Sequence, residues 1–132
     1  MMKRDLDTVR ELLFYLEEKP GHRPIRAEQI EIEGRTHNEL KYQLILMYQA
    51  GFLDAEVQRS KTNPDRIFEA IPFGLSWDGH EFLETVRDDD VWRKTKTGAK
   101  QLGTFSYDVL RDLAKSIVKK KLSDLTAGEF GV

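Results

Sequence analysis

His22, His37 and His80 are the three side chains in this 132-residue chain best suited by type to move a proton or bind a metal. None stands at a spacing that a zinc site uses. His80 reads as a packing or hydrogen-bonding residue rather than a base. The chain has no cysteine, which excludes disulfides, thiolate metal sites and cysteine nucleophiles. Ser116 and Lys119 match a Ser-x-x-Lys spacing, but they fall by chance in a lysine-rich helical run. The stretch TGAKQLGT, residues 97–104, lacks the strand–loop–helix context and the Gly-Lys-Ser/Thr ending of a phosphate loop. The many carboxylates read as surface pairs with no reason to converge in a pocket. The sequence therefore predicts a protein that is not an enzyme and holds no cofactor and no metal.

Recognition chemistry is better represented. A helix is predicted over residues 37–50, with Leu40, Leu44 and Met47 on its core face. Opposite them lie Asn38, Lys41, Tyr42, Ile45 and Gln49. Asn and Gln can pair with adenine edges, and Lys can reach guanine or phosphate, so Asn38, Lys41, Tyr42 and Gln49 are the candidate base contacts. Arg35, Arg59, Lys61 and Arg66 are the candidate phosphate contacts. With Arg23, Arg26 and Lys41 they could form a basic rim. Residues 20–66 hold seven basic and seven acidic side chains, however, so the rim requires the fold to segregate them. Glu39 places a negative charge near any phosphate, and Tyr42 and Ile45 stand where a DNA reader would carry charge. The same face also suits protein contact or plain solvation.

The elements that must position these residues follow from patterning. Leu6, Val9, Leu12, Leu13 and Leu16 give a first helix to about residue 18, capped by Asp5 or Asp7 and ended by Lys19-Pro20-Gly21. Residues 30–33, Ile-Glu-Ile-Glu, alternate with period two and predict a short strand after one helical turn at 26–29. Thr36 is the expected N-cap of the second helix and Gly51 its C-terminal glycine. FLDAEVQRS and DRIFEAIPF read as two strands of a hairpin joined by the turn-rich KTNPD. The charged tip also suits a hairpin that must stay soluble.

Ser76 should cap a third helix carrying Leu75, Phe82, Leu83 and Val86. KTKTGAKQLG, residues 94–103, reads as a loop. Ser106 should cap a last helix over residues 107–122, and residues 123–132 read as a flexible tail. On that last helix Phe105, Val109, Leu113 and Ile117 form one apolar line, with Leu110, Ala114 and Val118 beside it. The combined arc is wider than one core needs, which makes Val109, Leu110, Leu113, Ile117 and Val118 a candidate homodimer face. Lys115, Lys119, Lys120 and Lys121 sit where a helix C-terminus favours cations.

The composition, 39% hydrophobic and 33% charged, is that of a globular domain. No apolar run approaches the roughly 20 residues that cross a bilayer. The basic start leads straight into charged helix, so neither a secretory signal nor a membrane is expected and a cytoplasmic location is the default. Charge is uneven: residues 1–90 carry 12 Lys/Arg against 19 Asp/Glu, residues 91–132 carry 9 against 4. A basic excess outside the reading module counts against the simplest DNA-binding scheme.

The fold class is mainly α with a small β-hairpin (α+β). A helix ending Ala-Gly-Phe-Leu that feeds a two-stranded hairpin resembles the winged helix-turn-helix, in which that helix reads DNA and the hairpin is the wing. LSWDGHEFL, residues 75–83, resembles the Leu-Thr-x-x-Gly-x-x-x-Leu found after the wing in such regulators. MKRDLDTVRELL, YQLILMYQAGFL, LSWDGHEFL and VWRKTK, in this order, also resemble a family of small bacterial and phage proteins known as a domain of unknown function. The resemblance implies a winged-helix domain over residues 1–90, a C-terminal helical extension over 91–122 and a tail over 123–132. The winged-helix resemblance implies double-stranded DNA as the partner, while the family of unknown function has no established activity. The alternative is a protein–protein interaction module of phage or mobile-element origin, with Tyr42 and Ile45 as anchors.

Overall fold

Asp5 starts the fold: its carboxylate accepts the backbone N–H groups of Asp7 and Thr8 at 3.0 and 3.3 Å, capping helix α1, Leu6–Glu18. The computed structural model describes residues 2–130, with side chains through Ala127. Val9, Leu12, Leu13 and Leu16 are buried along α1, as their spacing predicts. A 3-10 turn, Ala27–Gln29, precedes α2, His37–Gln49, whose N-cap Thr36 accepts from the Glu39 N–H at 3.1 Å. Leu40, Leu44 and Met47 are buried, and Gly51 turns the chain out of the helix at φ +84°, a conformation that favours glycine.

The hairpin follows at once as β1, Leu53–Arg59, and β2, Ile67–Leu75, paired antiparallel. The register runs Asp54–Gly74, then Ala55–Pro72; later it runs Gln58–Glu69, then Arg59–Ile67. At each shift β2 carries one residue more than β1, and that residue is Phe73 at the first and Phe68 at the second. Such bulges bend a strand and re-aim a side chain.

The β2 strand leads into α3, Trp77–Val86. Ser76 binds this junction from both sides: its hydroxyl donates to the Gly51 carbonyl, while it accepts the Gly79 N–H at 3.1 Å. The Ser76 N–H donates to the Phe52 carbonyl at 2.9 Å. Phe52 and Phe82 stack at 5.1 Å.

The chain forms two compact units, Met1–Leu83 and Glu84–Val132. The second unit holds α4, Asp89–Leu102, and α5, Tyr107–Phe130. Asp88 caps α4 by accepting the Val91 N–H at 2.9 Å, so the helix restarts here instead of running through the carboxylates. Gly103, at φ +76°, ends it, with its N–H on the Lys100 carbonyl and that of Thr104 on the Ala99 carbonyl.

Three expectations are corrected. Residues 30–33 form no strand; Ile30 is buried, Ile32 half-buried and their neighbours exposed, so the alternation reflects burial without a pairing partner. Residues 94–102 are helix, not loop. The stripe Val91, Trp92, Thr95, Ala99 is buried there, and the Thr95 hydroxyl finds the Val91 carbonyl at 2.7 Å. The last helix does not end at residue 122 but continues to Phe130; residues 131–132 of the expected tail lie outside those described.

Candidate functional site

The outward stripe of α2 is Asn38, Lys41, Tyr42, Ile45 and Gln49, which share one face at helical spacing. Asn38 and Gln49 are exposed, while Lys41, Tyr42 and Ile45 are half-buried. The stripe is therefore open at both ends and more sheltered in the middle. The opposite face anchors the helix. Gln43, only 3% exposed, accepts the Asp5 N–H at 3.0 Å and donates to the Lys3 carbonyl at 2.7 Å. One amide thus ties the segment before α1 to α2. Sequence reading missed it; a glutamine among Leu40, Leu44 and Met47 was the available signal.

The hairpin tip is built around Ser60. Its hydroxyl accepts the N–H groups of Thr62 and Asn63 at 3.3 and 3.2 Å, and its own N–H donates to the Arg66 carbonyl at 2.9 Å. The Arg59 guanidinium donates to the Pro64 carbonyl at 3.1 Å, and that of Arg66 lies 5.8 Å from the Phe68 ring centre. Lys61 is exposed. Arg59, Lys61 and Arg66 are thus gathered on one closed tip, with Asp65 among them.

The other basic candidates have different company. Arg35 donates to Asp5 at 3.3 Å and to Glu11 at 3.2 Å, and its side chain is 24% exposed. The Glu11 hydrogen bond raises its pKa above the ordinary arginine value, against a smaller opposing effect of burial. Arg26 meets the buried Glu69 at 2.7 Å. These two arginines hold α1, α2 and β2 in place. Of the expected rim, Arg59, Lys61 and Arg66 stand together at the hairpin tip, while Arg26 and Arg35 are engaged by carboxylates.

His22 and His37 stand in exposed pairs with Asp54 and Glu31 at 3.1 and 3.0 Å, and His80 is exposed. Among the described residues no cluster of three or more His, Asp or Glu could hold a metal ion. Among the same residues no helix is long and apolar enough to cross a membrane.

In the second unit, Leu110 and Ala114 are fully buried. Val109, Leu113 and Ile117 are half-buried and Val118 is exposed. Of the five candidate dimer residues, Leu110 belongs to the core and Val118 is the most open. Leu122 and Leu125, which sequence reading assigned to the helix end and the tail, are more exposed still.

The family model described as Hypothetical protein (DUF2513) matches residues 3–106. An uncharacterized protein of Haemophilus influenzae is 28% identical over 123 residues, covering 92% of this chain and all of that protein. No solved structure matches. The matched span takes in α1, α2, the hairpin, α3 and α4, and the chain belongs to the family described as Hypothetical protein (DUF2513).

Proposed function

We propose that the chain is a winged helix-turn-helix module that binds double-stranded DNA, acts in the cytoplasm and catalyses no reaction. The observation that carries this reading is the direct passage from α2, through Gly51, into a hairpin whose closed tip gathers Arg59, Lys61 and Arg66. In this reading α2 enters the major groove, with Asn38, Lys41, Tyr42 and Gln49 toward base edges. The tip grips phosphates, which positions the module without reading sequence. Arg35, engaged by Asp5 and Glu11, serves the fold instead of the phosphate backbone.

Three or four phosphate contacts give a salt slope of about −2.7 to −3.6, so affinity for mixed-sequence duplex should fall about 40- to 150-fold between 50 and 200 mM salt. Fluorescence anisotropy with a labelled duplex measures this. Absence of binding at low salt refutes it.

A second reading, a protein–protein interaction module, is favoured by the half-buried Tyr42 and Ile45 at the centre of the α2 stripe and by the neutralised Arg26 and Arg35. Aromatic anchors flanked by polar residues are how such surfaces bind. It predicts no DNA affinity at any salt concentration.

A further inference from the structure

Glu11, Phe14, Tyr15 and Glu18 stand at i, i+3, i+4 and i+7, a spacing that places them on one face of α1. They line a groove of about 560 Å³ whose other wall is Pro20, Ile25 and Ile32, from the chain between α1 and α2. That wall is tied down. The Ile25 N–H donates to the Pro72 carbonyl at 3.0 Å, and Ala27 and Ile30 are buried beyond it. Phe14, Tyr15, Ile25 and Ile32 are only half-buried, so apolar surface is left open between anchored elements. The volume falls within the roughly 300–1,000 Å³ of small-molecule sites.

Charge selects the ligand. The charged side chains lining the groove are Glu11, Glu18 and Lys19. The Lys19 ammonium is taken by the Gly21 and Phe73 carbonyls at 3.2 and 3.0 Å. Glu11 shares Arg35 with Asp5, and its second carboxylate oxygen is buried without a hydrogen-bond partner. Glu18 is exposed, about 10 Å along α1 from Glu11. Phe14 already receives one cation on its ring, the Arg10 guanidinium at 4.9 Å from the ring centre. An apolar trough with aromatic rings between two carboxylates suits an organic cation and repels an anion.

We propose that this groove binds a small organic amine. Its apolar body lies on Phe14, Tyr15, Ile25 and Ile32, and its ammonium meets Glu18, the carboxylate that Arg35 does not engage. The site uses no residue of the α2 stripe or the hairpin tip, so the inference does not depend on DNA binding.

Amide chemical shifts of the full chain, titrated at pH 7 with hexylamine, hexanol and hexanoate, test it. Burial of about five methylenes corresponds to an affinity of about 1 mM. Hexylamine should move amides within residues 11–32 and bind about three- to fivefold more tightly than hexanol, the most that an exposed ion pair supplies. Hexanoate should bind more weakly than either. Glu18→Gln, at an exposed position, should cut the advantage of hexylamine at least about twofold and leave hexanol unchanged. Ile32→Ser should weaken both probes alike, because it removes only apolar contact. No shift at about 10 mM hexylamine, ten times the expected affinity, would overturn the proposal. So would hexanoate binding as tightly as hexylamine, shifts centred outside residues 11–32, or a Glu18→Gln protein that keeps the full preference for the amine.

Discussion

Replacing Gly79 with alanine should destabilise the first unit, against the usual effect of that change in a helix. At an open helical position the substitution gains about 0.5–1 kcal/mol. Here the added methyl would stand 2.2 Å from the Phe52 carbonyl oxygen and 3.0 Å from its carbon, where ordinary carbon contacts begin near ~3.5 Å. The backbone of Phe52 must then move by about an ångström. That carbonyl accepts the Ser76 N–H, and the Phe52 ring stacks on Phe82, so movement disturbs both. A lost hydrogen bond costs about 1 kcal/mol and overpacking about 1–3 kcal/mol. Set against the propensity gain, the net loss is about 2 kcal/mol, or about 10 °C in Tm for a unit of this size. Gly98→Ala is the control. Its methyl would meet Leu113 at 3.5 Å, an ordinary contact, so α4 should gain about 0.5 kcal/mol. Thermal and urea unfolding followed by circular dichroism measure both. A Gly79→Ala protein as stable as wild type would refute the close-approach argument.

Gln43→Leu should cost about 2 kcal/mol in urea unfolding, because it leaves the Asp5 N–H and the Lys3 carbonyl without their partner. Acid should weaken the second unit: the Val91 N–H above all holds the Asp88 carboxyl below its usual range, and Arg93, then Lys94 and Lys121, do the same for Asp90. A depressed folded pKa means the stabilisation is complete above the unfolded value of about 3.9 and is lost as pH falls toward the folded values. Melting curves from pH 7 to 2 should show this decline, and Asp90→Asn should flatten it. Under the DNA reading, Lys61→Ala should lower the salt slope by about 1 with equal effect on all duplex sequences, as expected of a phosphate contact. Arg35→Ala should instead lower the melting temperature and leave the slope unchanged.

Local signals located most of the fold. Asp5, Thr36, Ser76 and Ser106 cap the helices that their neighbours' spacing defines, and Gly51 marks the exit from α2. What local pattern could not carry was pairing. The alternation at residues 30–33 looks like a strand because one side is buried, but strandness requires a neighbour. Residues 94–103 look like a loop because Thr95, Thr97, Gly98 and Gly103 are weak helix formers. Helix α4 forms because Asp88 caps it and Val91, Trp92, Thr95 and Ala99 are buried together. The outward stripe of α2 was legible in the sequence, and the ion pairs around Arg35 were not. Asp5 and Glu11, 30 and 24 residues from Arg35 in sequence, are folded against it, a pairing no local pattern carries.

A two-stranded sheet leaves its outer edges open, and open edges invite other chains to pair with them. This hairpin offers a poor template. Its register breaks at Asp54/Ala55 and again at Gln58/Arg59, so no long stretch presents evenly spaced amides. Pro72, within β2, has no N–H to give, and its carbonyl already accepts the Ile25 N–H at 3.0 Å. An incoming strand would find an interrupted ladder at the very place where a growing aggregate needs a regular one. The bulges at Phe68 and Phe73 thus make the hairpin a poor template for pairing with another strand.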